Sequence, residues 1–448
     1  MARHLPLIAL MVMIPFLHAA CATYGRVENR PYSVLDPDRA YAMHQAVRPD
    51  HANSITLVLA FSGGGTRAAT LAYGVLTGLR DTLVRANGQS IRLLDEIDVI
   101  SAVSGGSFTA AYFGLHGDGL FDDFETKFLR RDMSDQLLDG LLNPALWFSP
   151  HSRTEMAIDL YDETLFNGAT FADLQRRNGP LIIINATDLG RGVRFSFLQE
   201  YFDLLCSDLS SFPVARAVAA SSAVPVIFNP VVLKNHAGCR PPSSGMFMGT
   251  NSEITHSPQL SHLMDGLSSY AAKDQRQYIH LVDGGITDNL GLLSIYEITE
   301  AAGGAKKLLT HLGGKPSPYL VVISVNASTQ PQYAMETTNR VPSMEETVNS
   351  VTDIPIHRAN AATLELLQNS IRRWSAELET AETPIETFFV KLDFGGLADP
   401  GDKLFLNQIP TSYSLREDQV DRLLRAGRKL LLDNPEFQRL IQDLSGNR

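Results

Sequence analysis

The residues best placed to do chemistry begin with a serine between an apolar run and a glycine pair. Ile97-Asp98-Val99-Ile100-Ser101-Ala102-Val103 leads straight into Ser104-Gly105-Gly106, and Phe108, Ala111, Tyr112 and Leu115 follow at helical spacing. A strand that feeds a helix through so tight a turn pushes the serine hydroxyl out of the sheet. It also aims the first helical amides at any oxyanion formed there. The usual pattern is G-x-S-x-G; here Ala102 replaces the first glycine with a residue nearly as small. Ser101 belongs to the strand and Ser107 to the helix, so Ser104 is the expected nucleophile. Alone, the segment also fits an ordinary strand–turn–helix.

A second cluster, Gly63-Gly64-Gly65-Thr66-Arg67-Ala68, follows the apolar run Ile55–Phe61 and opens a helical pattern at Leu71, Val75, Leu76, Leu79 and Leu83. Three glycines let backbone amides converge on an oxyanion or a phosphate. Arg67 either fixes this loop or meets a lipid phosphate. Gly63-x-Gly65-x-x-Ala68 also fits a dinucleotide fingerprint, against which stand the export signal described below and the serine elbow ending the next strand. A Walker A loop is excluded because no Gly-Lys-Ser/Thr follows. The third cluster is Asp283-Gly284-Gly285, at the end of Tyr278–Val282, with Asp288-Asn289 five residues on. An aspartate held within hydrogen-bond reach and partly desolvated can activate a serine directly. By itself, Asp-Gly is a common turn dipeptide.

The elements that position these clusters alternate. Further apolar runs at Leu181–Ile184, Tyr319–Val325 and Phe388–Leu392 read as strands, and Ala361–Leu378 and Gln419–Leu432 as helices. Such alternation predicts an α/β fold, a mostly parallel sheet covered on both faces, with functional loops at the carboxyl ends of the strands.

With 38 basic against 49 acidic side chains and a net charge of −11, the chain lacks the basic face of a nucleic-acid binder. Residues 1–20 read as a signal peptide: Arg3, an apolar core from Leu5 to Leu17, then Ala19 and Ala20. Cys21 follows as in a bacterial lipobox, although His18 stands where Leu is usual. The expectation is an exported lipoprotein, anchored to the cell envelope (outer membrane or periplasm) through lipidated Cys21, with residues 21–53 as anchor and linker and 54–448 as the body. Of the cysteines left, Cys206 and Cys239 are either a disulfide, favoured by export, or two buried thiols.

The order of glycine loop, serine elbow and Asp-Gly-Gly resembles the patatin-like phospholipase family. Asn185-Ala186-Thr187-Asp188-Leu189 and Ala219–Pro230 resemble further family stretches, and the likeness runs from about Ile55 to Leu292. The resemblance implies a three-layer α/β/α fold and lipid acyl hydrolysis by a Ser104–Asp283 dyad. It implies an oxyanion hole at Gly63, Gly64 and Gly65, supported by Arg67, Gly106, Gly284 and Gly285. It implies a membrane phospholipid or another lipid ester as substrate. No metal or cofactor is called for. His311 and His357 follow Asp283 and nominally offer a triad, but the resemblance implies a dyad without histidine. Leu142–Pro150 and Arg240–Ser269 are candidate lids, or parts of the body. An acyltransferase with the same dyad and a non-catalytic lipid-binding envelope protein are the competing functions.

Overall fold

The computed structural model describes residues 25–32, 40–48, 55–86, 89–134, 152–225, 227–239, 257–330, 334–380 and 383–446. In chain order its main elements are β1 (Ile55–Phe61), α1 (Gly65–Arg80), β2 (Ile97–Val103), α2 (Gly105–His116), β3 (Leu181–Asp188), β4 (Val193–Ser196), α3 (Val214–Ser221) and β5 (Val231–Lys234). There follow α4 (Pro258–Ser268), β6 (Tyr278–Val282), α5 (Leu292–Ala301), β7 (Tyr319–Val325), α6 (Met344–Leu378), β8 (Glu386–Leu392) and α7 (Glu417–Leu432).

The strands form one sheet in the order β8-β7-β1-β2-β3-β6-β5, with β4 paired to β3. β8, β7, β1, β2 and β3 are mutually parallel. β6 runs antiparallel to both β3 and β5. Helices α1, α2 and α7 pack together on one side and α5 and α6 on the other, giving the expected three-layer α/β/α arrangement. β2 is buried along its whole length and β1 nearly so, which is why both read as unbroken apolar runs.

The C-terminal third is part of this core. β7 and β8 extend the central sheet, and α7 lies along α1. The two helices meet at glycines: a Cβ on Gly74 would sit 2.5 Å from the carbonyl oxygen of Leu424, and one on Gly427 2.4 Å from that of Leu71. The helix bearing the glycine loop is thus clamped by residues some 350 positions later in the chain.

Several local expectations change. Leu83 is not on α1, which stops at Arg80; it starts a hairpin, Leu83–Ala86 against Gln89–Arg92, that takes up its backbone groups. Within the expected linker, Arg30-Pro31 pairs with Ser207-Asp208, and the Tyr41 hydroxyl binds the backbone of Ile182, so these parts pack on the body. Cys206 and Cys239 are disulfide-bonded. The signal segment, Cys21, Leu142–Pro150 and residues 240–256 lie outside the described residues. The remainder of the second candidate lid includes α4, whose Leu260, Leu263 and Leu267 are buried and whose Gly266 abuts Val193; it is body, because its apolar stripe already has the sheet as partner.

Candidate active site

Ser104 stands between β2 and α2 with φ 49° and ψ −121°, a backbone conformation that strains any residue with a Cβ. The strain is held by close backbone packing. A Cβ on Gly105 would fall 2.0 Å from the Gly65 carbonyl oxygen, and one on Gly106 2.7 Å from the Ser62 oxygen. Only glycines let the elbow and the glycine loop touch in this way. The backbone N–H of Ser104 donates to the Ser221 hydroxyl at 2.8 Å.

The Ser104 hydroxyl donates to Asp283 Oδ2 at 2.8 Å, and both residues are buried, 6% and 8% exposed. Asp283 Oδ1 accepts the N–H of Gly285 at 2.7 Å. Burial pushes the Asp283 carboxyl up to about 6, while the Gly285 and Ser104 bonds pull it down. Gly284 admits this turn: its Cβ would lie 2.3 Å from the Asn185 oxygen.

Asp283 reaches Ser104 by a route that a parallel sheet does not offer. β3 overshoots β2, since Val103 pairs with Asn185 while β3 continues to Asp188. β6 then returns antiparallel along the overshoot, with Val282 opposite Thr187, so its carboxyl end arrives at the level of Ser104. The expected placement at a strand end holds; its direction does not, because this strand is fed from beyond the sheet.

The other serines are occupied. Ser101 donates to the Gly291 carbonyl at 2.6 Å, and Ser107 donates to the Ser104 carbonyl. Among the described residues no histidine bonds to Asp283 or Ser104. His311 sits exposed at the end of the helix Ala305–His311, and His357 lies on α6.

In the glycine loop the three glycines differ. The N–H of Gly63 is already given to the Asn289 carbonyl at 2.9 Å, so Gly63 is not an oxyanion donor. It is glycine because a Cβ would meet Asn289 Oδ1 at 2.8 Å. The amides of Gly64 and Gly65 take no acceptor among the described residues, nor does that of Gly105. Gly64 (φ 136°) and Gly65 (φ 61°) adopt positive φ, a conformation that glycine permits. Arg67 is 3% exposed and binds the carbonyls of Ala327 (2.8 Å) and Ile409 and the Thr411 hydroxyl. It therefore fixes the loop, and its guanidinium is spent before any phosphate arrives. The space over the loop is filled by Gly105 and by Ser412, whose oxygen would lie 2.4 Å from a Gly65 Cβ. That leaves no dinucleotide cradle.

Three further features of the site stand outside the three sequence motifs. The Ser221 hydroxyl donates to the Asn185 carbonyl at 2.6 Å, and the backbone oxygen of Ser221 accepts from Gly284 at 3.0 Å. It lies in the Ala219–Pro230 stretch, where the Ser-Ser pair at a helix end was the available hint. Asn289 donates through Nδ2 to Ser328 and Asn360 while its side-chain oxygen faces Gly63 and Gly285. The strap Ile409–Tyr413 closes the site from the C-terminal side: Ser412 takes the Thr66 N–H, and the Tyr413 hydroxyl donates to the Ser222 carbonyl at 3.0 Å.

Fold and site together define an α/β protein with a buried serine–carboxylate pair at one end of its central sheet. The chain belongs to the patatin-like phospholipase family, whose model matches residues 59–296 of its 448. Among solved structures, human GIVD cytosolic phospholipase A2 is similar at 14% identity over 94% of this chain and 68% of that one, TM-score 0.41. The same enzyme with methyl gamma-linolenyl fluorophosphonate aligns at 15% identity over 91% of this chain and 62% of that one, TM-score 0.39. No curated protein sequence matches the chain.

Proposed function

We propose that this protein hydrolyses acyl esters of lipids, with Ser104 as nucleophile and Asp283 as its base. The observation that carries the reading is the 2.8 Å bond between the two buried side chains. Membership of a phospholipase family supports the substrate class. As Ser104 Oγ attacks the ester carbonyl, its proton passes to Asp283 Oδ2. The oxyanion is met by the N–H groups of Gly64 and Gly65, each worth about 3 kcal/mol of barrier. Asp283 returns the proton to the leaving alcohol, leaving an acyl-serine. Water then gives a proton to Asp283, attacks the acyl carbon, and releases the carboxylic acid and the Ser104 hydroxyl.

The test is a lipid-class hydrolysis panel with the native chain and Ser104→Ala. Acid release by the native chain alone supports the reading; equal hydrolysis of every lipid by both overturns it. Transfer of the acyl group to an added alcohol in place of water marks the acyltransferase. The proposal includes export and a lipid anchor on Cys21, tested by metabolic labelling with a tagged fatty acid, which Cys21→Ser abolishes.

A further inference from the structure

Several large apolar side chains are exposed along one stretch of the chain. On α6 and just before it, Val341 and Met344 are 84% and 85% exposed, and Val351 and Ile354 are 65% and 57% exposed. Met344, Val351 and Ile354 recur at spacings of seven and three, which places them along one face of the helix. Two further exposed apolar residues are close to the site along the chain: Ile286, three residues beyond Asp283, and Ile227, four beyond Ala223, whose carbonyl holds the Asp283 N–H.

This half of α6 adjoins the active site. Asn360 accepts a hydrogen bond from Asn289, which lines the glycine loop, and the charge of Asp353 acts on Arg67 beneath Gly64. The short helix Gly285–Asp288 packs on α6. An apolar stripe in water beside a site that takes lipid esters has a clear physical use.

Charge narrows the occupant. In the sequence, residues 340–358 hold three acids against two arginines, within a chain of net charge −11. A stretch of that balance lacks the basic cluster that recruits an anionic bilayer, and the net charge of the chain opposes one. We propose that the Val341–Ile354 stretch, with Ile286 and Ile227, docks on an electrically neutral or zwitterionic lipid surface and sets the mouth of the Ser104 site against it. The inference rests on the lipid-ester reading above. It adds the surface used, the insertion of apolar side chains as the binding force, and the preference against anionic lipid.

The full chain carrying Ser104→Ala, which leaves the lipid intact, is sedimented with phosphatidylcholine vesicles. Binding is expected, unchanged by added salt and weakened when phosphatidylglycerol replaces phosphatidylcholine. Adding Met344→Asp and Ile354→Asp is expected to weaken partitioning at least about tenfold, since each buries a charge in the acyl region. Met344→Leu is expected to retain it. Circular dichroism checks the fold, and Val341→Asp, outside the helix, is read in the same way should the double variant unfold. Partitioning of the Asp variants like their parent, or binding that needs anionic lipid, overturns the proposal. So does covering of this face by the chain's own apolar Leu142–Pro150, seen as a Met344→Cys/Trp147→Cys cross-link without lipid, or by a second copy, seen as a dimer that the Asp variants dissociate. The two readings fail separately. Hydrolysis of a soluble short-chain ester without vesicle binding removes only the docking surface, and vesicle binding without hydrolysis of any ester removes only the enzyme.

Discussion

The hydroxyl of Ser221 accepts the backbone N–H of Ser104 at 2.8 Å, and the carbonyl of the same residue accepts the N–H of Gly284 at 3.0 Å. One residue at the end of α3 therefore holds both halves of the proposed dyad. It ties down the strained elbow and, one residue from Asp283, the turn that presents the carboxylate. Replacing Ser221 by alanine leaves the buried Ser104 N–H unpaired, a penalty of about 1–3 kcal/mol. We expect kcat to fall by about tenfold to a hundredfold with little change in KM, and the pH profile to stay in place because the Asp283 environment is kept. Steady-state kinetics across pH, beside a melting curve, checks this.

As the proposed base, Asp283 acts only when ionised. Burial raises its carboxyl to about 6, above its ordinary 3.8. The expected kcat/KM on a soluble ester rises with pH through about 6 and levels above it. Asp283→Asn removes the base and should lower the rate about a thousandfold while the fold persists. A flat profile from about pH 4 to 8 contradicts the assignment.

The glycine loop depends on its neighbours across the chain. In Gly65→Ala the new Cβ at φ 61° would lie 2.4 Å from the Ser412 oxygen. Arg67→Gln strips the charged donor from the Ala327 and Ile409 carbonyls. Bonds to a charged group contribute about 1.5–3 kcal/mol each. Both variants should melt several degrees lower and label more slowly with a fluorophosphonate, whereas a loop independent of the strap would label at the native rate.

Glu200 is a stability probe away from the dyad. It is partly buried, accepts the Met43 N–H at 2.8 Å through one carboxylate oxygen, and is pushed by desolvation from 4.5 up to about 7. The folded state then holds the proton more tightly than the unfolded one. The stabilisation is complete below about 4.5 and is lost as pH rises toward 7. The melting temperature should fall over that window, with Asp283 and Asp288, both raised to about 6, contributing in the same direction. Glu200→Gln should flatten the slope between about pH 5 and 8; an unchanged slope shows that Glu200 does not contribute.

What the sequence determined by itself was local. Apolar runs such as Ile97–Val103 had to be strands buried on both faces, and the glycines after Phe61, Val103 and Val282 had to mark tight turns, because side-chain period and backbone freedom act over a few residues. Hence the three motifs, their order and the layered fold were legible. The tertiary structure decided which of those residues meet. Asp283 reaches Ser104 only because β6 runs back along the overshoot of β3. Gly63 loses its place among the oxyanion donors to the Asn289 carbonyl, and Arg67 turns inward because the Ile409–Tyr413 strap supplies its acceptors. Ser221 acts on the site from more than a hundred residues away in the chain. Such partnerships are set by strand pairing and by the closing of long loops, which leave no periodic trace in the residues they join.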